Sequence, residues 1–65
     1  MDMGMKMKLI RIEKRLKQYE MAEMLGISRE YLRRIENNTA KNPSIPIMKK
    51  ISEILEISVQ ELFFD

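Results

Sequence analysis

The 65-residue chain has no cysteine, histidine or tryptophan, and only two glycines, two prolines, two tyrosines and two phenylalanines. Without cysteine no disulfide can staple so small a core, and nothing points to an oxidising compartment. The joint absence of cysteine and histidine removes the customary zinc ligands, so neither metal nor cofactor is expected. It also leaves no ordinary nucleophile–base pair, and the only aspartates, Asp2 and Asp65, lie at the two ends. An enzyme is therefore the weakest reading. No apolar run approaches the roughly 18 residues of a membrane span. MDMGMKMK lacks the apolar centre of a signal peptide. The expectation is a cytoplasmic protein with no membrane and no small-molecule substrate.

What remains is charge and helical periodicity. The net charge is +2, unevenly spread. Residues 1–18 carry Lys6, Lys8, Arg11, Lys14, Arg15 and Lys17 against Asp2 and Glu13, whereas Glu53, Glu56, Glu61 and Asp65 outnumber Lys49 and Lys50 after residue 42. Such polarity suits a chain presenting one face to a polyanion. Because a short chain buries only about 60% of its unfolded surface, efficient helix packing aided by dimerisation is expected.

Leu9, Ile12 and Leu16 recur at helical spacing and predict an amphipathic helix over 6–16, preceded by a flexible arm over 1–5. Met21, Ala22, Met24 and Leu25 line a second helix over 18–25, closed by Gly26. Ser28 caps a third over 29–36, with Leu32 and Ile35 inward. After the polar loop NNTAKNPSIP, Ser44 and Pro46 open a fourth helix buried through Ile47, Ile51, Ile54 and Leu55. Ser58-Val59-Gln60-Glu61 fits a capping box for a short fifth. Met21, Met24 and Met48 read as core filler. The expected class is all-α, with residues 6–65 forming one domain of five helices.

The second and third helices around Gly26 form a tight αα turn. The second member, GISREYLRRIENN, has a thin apolar stripe and a cationic outer side, as a helix must to lie in a DNA major groove. QYEMAEMLGISREYLRRIENN resembles the helix-turn-helix signature of the Cro/CI family, also called the XRE family. The resemblance rests on Gln18, Met21-Ala22, Gly26-Ile27-Ser28, Leu32 and Ile35-Glu36, extends to SEILEISVQELF, and covers about residues 9–63. It implies a compact lambda-repressor-like domain. Three positions depart from the pattern: Lys17 stands where a Ser or Thr cap is frequent, and Asn38 and Glu56 where Gly is frequent.

Arg29, Glu30 and Arg34 match base-reading positions of related repressors, and physical placement points the same way. Arg29 and Glu30 open the recognition helix and Arg34 follows about one turn later. Arginine can grip guanine O6 and N7, and glutamate can accept from the cytosine amino group. Glu30 has a second reading, as a helix N-terminal acid pairing with Arg34. Tyr31 and Arg33 flank this face; Tyr31 can touch phosphate or a thymine methyl, or lie flat against the first helix. Gln18 opens the second helix, where a phosphate oxygen is well received. Asn37, Asn38, Thr39, Lys41 and Asn42 follow the recognition helix; the resemblance assigns backbone contacts to Gln18, Asn37 and Lys41. Glu36 opposes its helix dipole and needs a compensating partner. The resemblance supplies Arg11 as a structural ion pair.

Leu62, Phe63 and Phe64 exceed what so small a domain can bury and are candidates for a two-fold interface. The expected function is sequence-specific binding of double-stranded DNA by a homodimeric transcription regulator, with repression as the default. With room for one domain only, regulation is expected to come from concentration, proteolysis or a second regulatory protein. The alternative is an antitoxin-like or other protein-interaction module on the same fold.

Overall fold

The computed structural model describes residues 2–41 and 43–64. Five helices follow one another: α1 (Met3–Glu13), α2 (Gln18–Leu25), α3 (Arg29–Glu36), α4 (Ile45–Leu55) and α5 (Gln60–Phe64), the last a short π-helical turn. Met7, Met21, Ala22, Leu25, Leu32, Ile35, Ile51, Leu55 and Leu62 make one continuous core. The αα turn of α2 and α3 is braced from behind by α1 and α4.

The first helix departs from expectation in two ways. It begins at Met3, so Asp2 to Met5 are not a flexible arm (Met1 lies outside the described residues). Asp2 caps α1 by accepting from the Met5 N–H at 2.8 Å. Asn38 in turn donates to the Asp2 carboxylate at 2.7 Å and accepts from the Gly4 N–H at 3.2 Å. A side chain at Gly4 would strike the backbone of Ile35 and Glu36. Only glycine lets α1 come that close to the end of α3.

The buried face of α1 also differs. Gly4, Met7 and Arg11 point inward, while Leu9 and Ile12 are 41% and 52% exposed. Both sets satisfy helical spacing; the close approach at Gly4 and the pairing of Arg11 decide which one turns in. Met24, expected in the core, is likewise 53% exposed, whereas Met21 and Met48 are buried.

Each of the first four helices closes with a left-handed residue: Arg15, Gly26, Asn38 and Glu56, with φ near 57–73°. After α1 the Leu16 N–H reaches the Arg11 carbonyl and the Arg15 N–H reaches that of Ile12, the paired bonds of a Schellman closure. Glu56, in place of a glycine, is held by Lys14 at 2.5 Å. At the other end, Lys17 provides no side-chain cap for α2. Instead its N–H donates to the Glu20 carboxylate at 2.8 Å. Ser44 and Ser58 cap α4 and α5 as expected. Leu62 is 2% exposed and belongs to the core, which removes it from any interface between copies. Phe63 is half-buried against the core and Phe64 is 61% exposed.

Candidate nucleic-acid interface

Gly26 has φ 73° and ψ 28°, and an added Cβ would meet nothing within 4 Å. The turn therefore favours glycine for backbone conformation alone. Ile27 donates back to the Ala22 carbonyl at 3.0 Å, and the Ser28 hydroxyl accepts from the Tyr31 N–H at 3.0 Å. These bonds set the start of α3. Leu32 and Ile35, 0% and 1% exposed, then fix its rotation about its own axis. Arg29, Glu30, Arg33 and Arg34 consequently lie in solvent, with Tyr31 half-buried against the core.

The polar side chains are not independent. Arg11 sends Nε to Glu36 Oε2 at 2.7 Å and Nη2 to Oε1 at 3.2 Å, and its Nη1 donates to the Leu16 carbonyl at 2.8 Å. The same Glu36 Oε1 accepts from Gln18 Nε2 at 3.0 Å. Gln18 Oε1 accepts from Arg29 Nε at 3.4 Å. A buried ion pair is thus linked through one amide to the first residue of the exposed face. Arg11 is the partner the dipole of α3 demanded.

Glu30 pairs with Arg33, not with Arg34: Arg33 Nε and Nη2 donate to its two oxygens at 2.9 and 2.5 Å. The guanidinium hydrogen bonds hold the Glu30 carboxyl below its ordinary range. Arg34 Nη2 donates to the Thr39 carbonyl at 3.4 Å. Gln18 has both ends of its side-chain amide engaged, by Glu36 and by Arg29. Asn37 caps α3 and is exposed, as is Lys41. Asn38 and Thr39 hold the loop: the first ties it to α1, and the second donates its hydroxyl to the Arg34 carbonyl at 3.3 Å. Asn42 lies outside the described residues.

The sequence reading missed the Asp2–Asn38–Gly4 clamp. Its signals were a good N-cap residue two positions before a glycine and an asparagine able to enter the left-handed region. Among the described residues no cluster of three or more potential metal ligands occurs. None of their helices is long and apolar enough to cross a membrane.

The family model for helix-turn-helix proteins matches residues 7–62. The chain belongs to the Cro/CI (XRE) type of helix-turn-helix family. It is similar to the HTH-type transcriptional regulator SinR of Bacillus subtilis (strain 168), with 41% identity over 59 residues covering 91% of this chain and 53% of that protein. The chain thus spans about half the length of the curated relatives it matches. Among solved structures, the crystal structure of SinR in complex with DNA superposes with a TM-score of 0.85 at 39% identity, covering 94% of this chain and 97% of that one. The SinR–SinI protein complex superposes with a TM-score of 0.87 at 38% identity, covering 98% of this chain and 62% of that one. The likeness to SinR's DNA-binding domain extends through the whole all-helical architecture.

Proposed function

We propose that the chain binds double-stranded DNA sequence-specifically as a transcription regulator, by default a cytoplasmic, cofactor-free and non-enzymatic repressor. The observation that carries this reading is the placement of Arg29, Glu30, Arg33 and Arg34 on the solvent side of α3, opposite Leu32 and Ile35. A helix so seated enters the major groove with Arg29, Glu30 and Arg34 against base edges. Asn37 and Lys41 at its far end, Tyr31 and the start of α2 at Gln18 lie beside the phosphates, which position the protein without specifying sequence. The likeness to SinR, solved with DNA, supports the same assignment.

Two copies related by a two-fold axis place two recognition helices about 34 Å apart, matching half-sites one helical turn apart in a pseudo-palindrome. Phe64 and the exposed edge of Phe63 are the remaining aromatic contributors to that contact. SinR also forms a complex with SinI, which favours a second regulatory protein as a partner here. Selection of bound sites from a random duplex pool tests the reading. The expected result is a two-fold symmetric motif, bound less tightly as salt rises; no enrichment over the starting pool would overturn it.

A further inference from the structure

The centre of the exposed face of α3 is not a row of free cations. Glu30 and Arg33, 64% and 51% exposed at their side chains, are joined by two parallel hydrogen bonds, Nε to Oε1 and Nη2 to Oε2. As a surface ion pair this contributes little to stability. Its geometry has a different use. A fork-to-fork pair is planar and fixes both groups side by side. Each Glu30 oxygen keeps an outer lone pair, and Arg33 Nη1 makes no hydrogen bond among the described residues. An acceptor and a donor therefore both remain available on one paired unit.

A C·G base pair presents the complementary order in the major groove, with the cytosine N4 amino donor beside the O6 and N7 acceptors of guanine. We propose that Glu30 and Arg33 together form one composite reader of a single C·G pair in each half-site. In it Glu30 accepts from cytosine N4 and Arg33 donates to guanine. The inference rests on the DNA-binding reading above and makes Arg33 a specificity residue, where the sequence placed it among the flanking contacts. Pairing also removes most of the charge that would draw a lone arginine to any phosphate. The unit thus favours one base pair and discourages non-specific binding. The lowered proton affinity of Glu30 keeps it an acceptor.

Random-pool selection with the wild type, Glu30→Ala, Arg33→Ala and the double variant tests the proposal. The wild type is expected to hold one C·G position per half-site with about tenfold or greater preference, the scale of a good bidentate contact. Either single variant should reduce that preference to about threefold or less, the double variant no further, and the other motif positions should persist. Glu30→Ala, by releasing Arg33, should also bind non-specific duplex more tightly and with a steeper salt dependence. Circular dichroism checks that α3 survives in each variant. If the position keeps its preference in either single variant, or if the two residues govern different positions, the composite reader is overturned. That outcome differs from a wild type that enriches no motif, which would overturn the DNA-binding reading itself.

Discussion

Arg11 Nε and Glu36 Oε2 lie 2.7 Å apart, with side chains only 8% and 1% exposed. The pair joins α1 to the last residue of α3, and Gln18 adds a third hydrogen bond to Glu36 from α2. No buried side-chain nitrogen or oxygen among the described residues lacks a partner. Removing one member strands the other as a buried charge, which costs about 3–5 kcal/mol. Arg11→Met is therefore expected to lower unfolding free energy by that amount in urea titration. Replacing both residues by apolar ones of similar size should recover part of the loss. A single variant within about 0.5 kcal/mol of wild type would contradict this account.

The two glycines are needed for different reasons, and alanine separates them. At Gly4 a Cβ would fall within 2.8 Å of the Ile35 carbonyl oxygen and closer still to that of Glu36. The obstruction is backbone, so α1 has to move; a loss of about 1–3 kcal/mol is expected. At Gly26 there is open space but φ is +73°, so alanine costs about 1–2 kcal/mol through conformation alone. Amide exchange tells them apart. Gly4→Ala should speed exchange in the first turn of α1 and at Asn38, whereas Gly26→Ala should spare that clamp.

How far the fold was legible follows from these residues. Caps announce themselves locally, so Ser28, Ser44 and Ser58 marked helix starts correctly, and Gly26 marked the turn. Inward faces do not. In α1 the side turned to the core contains a glycine and an arginine, so ranking residues by hydrophobicity selects Leu9 and Ile12, the wrong stripe. Gly4 fits the interface because of what it lacks, a fact visible only once Glu36 lies opposite. Within the site, the exposed arginines could be read from spacing. The choice of Arg33 over Arg34 as partner of Glu30 could not, because i+3 and i+4 neighbours both lie within reach. Leu62 was misassigned because the count of terminal apolar residues does not say which one turns inward.

Acid should weaken the fold through a small set of exposed carboxylates. The Met5 backbone N–H, with help from Asn38, holds Asp2 below 3.8. Lys14 holds Glu56 below 4.5. A carboxyl depressed in the folded state binds more protons when unfolded, so its contribution is complete above the ordinary carboxylate range and disappears as pH falls through it. Lys14→Met should therefore be less stable than wild type near pH 7, and the gap should narrow as pH falls below the ordinary carboxylate range. Urea titrations at neutral and acidic pH check it; a gap constant with pH would place the effect in packing of the lysine stem instead.

Arg34 and Lys41 are both exposed cations, but the proposed reading asks different things of them. Arg34 projects from the outer face of α3 with a long 3.4 Å contact to the Thr39 carbonyl, and the proposed reading turns it to a guanine. Lys41 lies beyond the end of the helix in the exposed loop, and the proposed reading gives it a phosphate contact. Arg34→Ala should lower affinity for the selected site by about 1–3 kcal/mol and relax preference at one base position. Lys41→Ala should weaken binding to all duplexes alike and reduce the slope of log affinity against log salt by about one. Fluorescence anisotropy over a salt series, with specific and scrambled duplexes, reads both effects in one experiment. Exchanged outcomes, with Lys41 governing base preference and Arg34 only the slope, would mean that α3 meets the duplex in a different register.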